Sequence, residues 1–273
     1  MNPYTLKNRY ALVTGASSGI GREIARCLAK EGAHCVLNAL PSETAVLDSW
    51  ARELEARYHV KTWAVPVDLA ADDGPQELYD NARKWIPHLD ILVNNAGILT
   101  YGSFHSIPYA QHERLLRVNV RAYMMLMHRA LADMIPRGQG RILNISSMAA
   151  FQATSYQAPY GASKAFVQSL SEAVNLELRE KDIRICTLNP NVTDTPMINA
   201  YPRQLWLFTM IRLNSPAAIA QRGVAALKNG KSITIPGWDN WLLAHVAPRL
   251  LPRGWVNHVP YLLLKQGATR DTH

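Results

Sequence analysis

Cysteine is scarce: the 273 residues hold three, Cys27, Cys35 and Cys186, with no CxxC spacing. That excludes a disulfide framework and a cysteine-rich zinc site, and it fits a reducing cytoplasm. The nine histidines form no HExxH or comparable ligand spacing, and the carboxylates form no cluster, so no metal site is expected. No apolar run reaches the roughly 18 residues that a membrane span requires. Pro248, Pro252, Pro260, Arg249 and Arg253 break up the last candidate stretch. The opening residues MNPYTLKNR carry neither the apolar stretch nor the cleavage site of a signal peptide, so export is not expected.

Acidic residues are scarce in one place. Residues 1–200 hold 20 Lys and Arg against 19 Asp and Glu, whereas residues 201–273 hold 9 against 2, so nearly all of the +8 net charge lies in the last quarter. It lies there among Trp206, Phe208, Trp238, Trp241 and Trp255. Such a segment meets an anionic partner or simply solvates itself. No recognition motif accompanies the charge, so nucleic acid is not an expected partner.

With 48% hydrophobic and 18% charged residues, the chain has material for a large core. Short apolar runs alternate with segments of helical spacing: YALVTG, then a helix over 19–32; HCVLNA, then a helix from Ser42 to Tyr58; KTWAVPVDL, then a helix near 72–85. DILVNNAG precedes a long helix over 109–135, GRILNISS one over 159–180, and DIRICTLNP one that Ser215 caps, Pro216 begins and Gly230 stops before KSITIP. Seven apolar strands alternating with six helices predict a doubly wound α/β domain, a Rossmann fold with a parallel sheet in the order 3-2-1-4-5-6-7. The expected division is one domain over 1–236 and a basic, Trp- and Leu-rich extension over 237–273, to which the pattern assigns no fold.

TGASSGIG, Thr14 to Gly21, follows the first strand and opens the first helix. Glycines there permit a tight turn and a close approach of backbone to a pyrophosphate, whose charge the free N–H groups of the helix start favour. An ordinary strand-to-helix turn is the plainer alternative. Tyr160 and Lys164 in YGASK stand four apart on a predicted helix, so an ammonium stands beside a phenol and can bring its pKa down from near 10. About 0.4 such pairs arise by chance in this composition, so the spacing decides nothing alone. Ser147, the NNAG turn and the Asn189–Pro190 turn all follow strand ends, and the ligand crevice of such sheets lies there.

In this order and spacing TGASSGIG, NNAG, Asn119 in RVNV, NISS, YGASK and NPNVTDT resemble the single-domain short-chain dehydrogenase/reductases, over about residues 8 to 236. The resemblance implies a nicotinamide-dependent oxidoreductase acting on an alcohol/carbonyl pair. It implies that Tyr160 is the general acid/base, that Lys164 lowers its pKa and binds the nicotinamide ribose, that Ser147 holds the substrate oxygen and that Asn119 supports a water relay to Lys164. Gly15, Ser17, Ser18, Ile20 and Gly21 would cradle the phosphates. Asp68 and Leu69 would meet the adenine, Asn95, Ala96 and Gly97 would line the adenosine side, and Pro190, Val192 and Thr195 would position the nicotinamide amide. Homodimers or homotetramers are the implied assemblies.

Two departures stand out. The family's usual glycine after Pro190 is Asn191, which tolerates positive φ better than most residues. At the end of the second strand the acid that would bind the ribose of NAD is replaced by Asn38, Ala39 and Leu40. Its loss removes repulsion against a 2′-phosphate, which Asn38 or Ser42 would hydrogen-bond with Arg22 as cationic helper, so NADP is favoured over NAD.

Substrate is expected to enter over 98–105, 148–156 and 194–214, the last holding the apolar YPRQLWLFTMI. This stretch reads equally as a lid over a hydrophobic alcohol, ketone or 3-oxoacyl ligand and as a helix packed into a core or subunit contact. The extension after 237 suits peripheral contact with the inner face of a membrane, packing between subunits, or covering the substrate pocket. A non-catalytic nucleotide-binding or membrane-associated scaffold is the rival from another class; epimerase or dehydratase chemistry on nucleotide sugars would call for a larger substrate domain.

Overall fold

A computed structural model describes residues 3–202, 205, 213–246 and 250–268. Its strands are β1 (Tyr10–Val13), β2 (His34–Leu37), β3 (Thr62–Ala64), β4 (Ile91–Asn94), β5 (Gln139–Ile145), β6 (Asp182–Leu188) and β7 (Ile233–Thr234). They form one parallel sheet in the order β3-β2-β1-β4-β5-β6-β7, the predicted topology. Successive side chains of a strand point to opposite faces. Thus Ala11 and Val13 join one apolar layer with α1 (Gly19–Lys30), α2 (Thr44–Tyr58) and α7 (Pro216–Asn229), while Leu12 joins the other. That second layer includes α3 (Gly74–Arg83), α5 (Tyr123–Arg137) and residues of α6 (Ala158–Glu177). Leu28 is fully buried in the first layer; truncating such a leucine to alanine costs about 2–5 kcal/mol.

The long helix expected over 109–135 is divided. α4 (Tyr109–Leu116) and α5 are joined by a π-helical turn, Arg117–Ala122, that contains Asn119. A π-turn shifts side chains out of helical register and is frequent at functional sites. β3 ends at Ala64 rather than at Leu69. Val65 N and Val67 N still donate to the carbonyls of Leu37 and Ala39 at 2.8 and 3.0 Å, but the carbonyls of Val65 and Val67 accept from the side chain of Asn38. Ser215 precedes α7 without a side-chain cap; Pro216 begins the helix, and Gly230 at φ +64 closes it.

The extension, unassigned from sequence, forms α8 (Trp238–His245) and α9 (Arg253–Ala268). It leaves β7 through Gly237, at φ +95, where a Cβ would stand 2.5 Å from Asp239 Oδ1. Both helices return over the carboxyl ends of the strands. Ala153 N donates to Asn257 Oδ1 at 3.3 Å, and the Tyr101 hydroxyl donates to the carbonyl of Leu264. Of the stretch read as a lid, residues 203, 204 and 206–212 lie outside the described residues. The part that is described forms a 3-10 turn over Pro196–Ala200 and a β-bridge from Thr193 to Asn214.

Candidate active site

Where the strand order reverses between β1 and β4, a cavity of about 750 Å³ opens beyond the carboxyl ends of the strands. One end is built on the Gly-rich turn. Gly15 and Gly19 have φ of +62 and +55, and a Cβ on Gly21 would stand 2.2 Å from the Gly15 carbonyl oxygen and 2.3 Å from Asn95 Nδ2, so only glycine fits there. Thr14 Oγ1 accepts from the N–H groups of Asn95 and Ala96 at 2.9 and 3.0 Å, and Asn95 Nδ2 donates to the carbonyls of Thr14 and Gly15 at 2.9 and 3.1 Å. The NNAG turn and the Gly-rich turn thus fix each other. α1 begins at Ser18 with no side-chain cap, and Ser18, Gly19 and Ile20 border the cavity. Uncapped N–H donors at the positive end of a helix are the donor set a pyrophosphate requires.

At the other end stand Ser147, Tyr160 and Lys164. Ser147 follows β5, accepts from Ala149 N at 3.1 Å and borders the cavity beside Tyr160. Burial raises the Tyr160 pKa and the nearby Ser147 hydroxyl opposes that rise, so the phenol carries its proton at neutral pH. Lys164, one turn on, is 2% exposed and donates Nζ to the Ile145 carbonyl at 2.9 Å; desolvation alone brings its pKa down to about 7. Burial therefore acts on both groups, holding the proton on the Tyr160 phenol and drawing the Lys164 ammonium toward its neutral form. Lys164 Nζ lies 5.7 Å from the Tyr160 ring centroid. A Cβ on Gly97 would lie 3.6 Å from the same Nζ, so the NNAG turn reaches Lys164.

Gly15, Ser17, Ser18, Ile20, Asn38, Asp68, Leu69, Asn95, Ala96, Gly97, Ser147, Tyr160, Lys164, Pro190, Val192 and Thr195 all border this cavity. Gly21 and Asn119 stand behind its wall. The amide of Asn119 accepts from Ile98 N at 2.8 Å and donates to Ile98 O at 2.9 Å and Ser163 Oγ at 3.1 Å. With both ends of the amide engaged, its side chain braces the NNAG strand end against α6.

Two adenosine-side expectations are corrected. Asn38 donates its Nδ2 to the carbonyls of Ala39, Val65 and Val67 at 3.2, 3.1 and 3.1 Å, so it keeps no donor for a 2′-phosphate. Arg22 is stacked 4.1 Å over the Trp50 ring, with Glu53 at 3.8 Å, and does not border the cavity. The acid missed in the sequence is Glu43. A 3-10 turn over Pro41–Glu43 brings its carboxylate back to accept from Ser17 Oγ at 3.1 Å and Leu40 N at 3.3 Å, at the cavity edge. Arg114 was missed too: it pairs with Asp68 at 3.0 Å beside the adenine end. Asn191 does not take the positive φ anticipated for it; Tyr156 does, at +62, and its ring stacks on Tyr261 of α9 at 6.1 Å.

The profile of the family described as short chain dehydrogenase matches residues 9–206, which span every motif just placed. The chain belongs to this family. A short-chain dehydrogenase from Sphingobium yanoikuyae in complex with NADPH superimposes with a TM-score of 0.78 at 29% identity, covering 88% of this chain and 90% of that one. A 3-ketoacyl-(acyl-carrier-protein) reductase from Brucella melitensis complexed with NADH gives 0.75 at 27%, over 85% and 97%. A bulky-bulky ketone specific alcohol dehydrogenase from Comamonas testosteroni also gives 0.75 at 27%, over 97% and 96%. As a short chain dehydrogenase the chain is an NAD(P)-dependent oxidoreductase.

Proposed function

We propose that this enzyme interconverts a bulky, apolar ketone and its secondary alcohol, with Tyr160 as the proton-transferring group. The observation that carries this reading is the meeting of Ser147, Tyr160 and Lys164 at one end of a cavity walled on one side by the Gly-rich turn and on the other by apolar residues of α9. Uncapped donors at the start of α1 and the absence of any possible Cβ at Gly21 suit NAD or NADP, which when bound supplies the hydride exchange. In the reducing direction Ser147 orients the carbonyl oxygen and the Tyr160 hydroxyl gives it a proton. In the oxidising direction the phenolate takes that proton back. Lys164, charged or neutral near pH 7, tunes the phenol and meets the nicotinamide ribose. Pro190, Val192 and Thr195 frame the nicotinamide amide.

Val256, Pro260, Leu263 and Leu264 of α9 and Met197 and Tyr201 form the substrate wall, which suits a large apolar group rather than a sugar or a small acid. The relatives that act on a bulky ketone and on a 3-ketoacyl group, as their names state, agree with this class. A homodimer or homotetramer belongs to the same reading; exposed Tyr109, Leu116 and Met124 on α4 and α5 offer it apolar surface.

The test is turnover of a ketone panel with NADH and with NADPH, comparing wild type with Tyr160→Phe. Loss of the hydroxyl is expected to lower kcat about 10²–10⁴-fold while dinucleotide binding persists. Undiminished turnover in the variant would remove the assigned role, and no turnover of any ketone by the wild type would favour the scaffold.

A further inference from the structure

The two C-terminal helices turn one face to the cavity and leave the other uncovered. Among the described residues, eight of the eighteen exposed large apolar side chains fall within 238–262, while the other ten are scattered over the rest of the chain. Trp238 is 79% exposed, Leu250 76% and Trp255 73%. A concentration of this kind on the outside of one chain marks a contact surface.

Its chemistry selects the partner. Three tryptophans, Trp238, Trp241 and Trp255, sit with leucines on the two C-terminal helices. Tryptophan concentrates at the headgroup level of a bilayer, where its ring is apolar and its N–H stays wet. Across 238–268 the sequence carries Arg249, Arg253 and Lys265 against Asp239 alone, a balance complementary to anionic headgroups. No described helix is long and apolar enough to cross a membrane, so the segment would lie on a lipid surface rather than span it.

The uncovered face and the cavity share a rim. Leu243, Leu251 and Trp255 border the cavity and are also 57%, 48% and 73% exposed. We propose that α8 and α9 seat on an anionic lipid surface and that the cavity mouth opens at that seat, admitting an apolar substrate dissolved in the lipid. The second half rests on the apolar-ketone reading above; the first does not.

Full-length protein is sedimented with vesicles of phosphatidylcholine alone and of phosphatidylcholine with phosphatidylglycerol. Wild type is expected to pellet with the anionic vesicles, and less so at high salt, which screens surface charge. Trp238→Glu combined with Leu250→Glu alters the exposed face without touching the cavity lining. It is expected to weaken vesicle binding at least tenfold while turnover of a short, water-soluble ketone is unchanged, which also reports that the variant folds. Turnover of a long-chain ketone supplied within vesicles is expected to fall with the loss of binding.

Equal recovery of wild type in the supernatant with and without vesicles would overturn the proposal. So would light scattering that shows this pair of substitutions splitting an oligomer that ignores lipid, since the face would then join subunits. Vesicle binding by a protein that turns over no ketone would keep the lipid seat and remove the substrate route together with the proposed activity.

Discussion

Asn191 donates its side-chain amide to Asn240 Oδ1 at 2.9 Å, joining the turn after β6 to the first helix of the C-terminal segment. Asn240 in turn donates to the Pro236 carbonyl at 2.7 Å, and Asn191 Oδ1 accepts from Val192 N at 2.8 Å. The residue that stands where the family usually has glycine is therefore a tie between the turn after β6 and α8. Asn191→Gly is expected to lose about 1 kcal/mol, the worth of one such bond. That lowers Tm by about 2–4 °C. It should also quicken amide exchange across 238–245 and raise KM for a bulky ketone. Unchanged exchange in α8 would mean that the tie has no hold on the helix.

Glu43 sets a negative charge at the adenosine end of the cavity, beside Ser17. Glu43→Gln keeps the hydrogen-bonding shape and removes the charge, so kcat/KM with NADP is expected to rise relative to NAD. The expected change is about tenfold, equivalent to about 1.4 kcal/mol. Steady-state kinetics with both dinucleotides measures the ratio; an equal change with both would reduce Glu43 to a loop-capping residue.

Lys164 links stability to pH. Its pKa is about 7 in the fold and 10.5 for the free side chain, so between these values the unfolded chain binds more protons and stability rises with pH. The slope for one group is at most about 1.4 kcal/mol per pH unit. Above pH 10 the sign reverses, because the buried Tyr4, Tyr123, Tyr160 and Tyr201 stay protonated in the fold but ionise once unfolded. Thermal scans of the cofactor-free protein should show Tm climbing from pH 7 toward 10. Lys164→Met should flatten that climb.

Gly21→Ala places a methyl 2.2 Å from a backbone oxygen and 2.3 Å from the amide that holds the Gly-rich turn. Dinucleotide binding, followed by quenching of protein fluorescence, is expected to vanish. Gly254→Ala, with nothing within 4 Å of the new methyl, is the matched control and should be neutral or slightly stabilising.

The sheet was legible because each strand is a compact apolar run and each helix repeats at its own period, so β1 to β7 needed no long-range information. Ser147, Tyr160 and Lys164 were singled out by the ordered motifs of the resemblance, since their spacing alone decides nothing, and all three border one cavity. Glu43 was hidden because a one-turn 3-10 segment folded it back to Ser17, and such turns have no periodic signature. The engagement of Asn38 depended on where the carbonyls of Val65 and Val67 point, which no pattern announces. The π-turn at Asn119 was invisible because an extra residue in a helix changes hydrogen bonding rather than composition. The C-terminal helices were obscured by Pro248, Pro252 and Pro260 and by an apolar pattern that serves a cavity inside and a surface outside.

The cavity receives one of its walls from α8 and α9, which follow the last strand of the sheet. A variant cut back before Trp238 would keep all seven strands and the Gly-rich turn, so the nucleotide half of the cavity would stand without its apolar cover. Such a variant is expected to retain affinity for a dinucleotide yet lose discrimination among ketones.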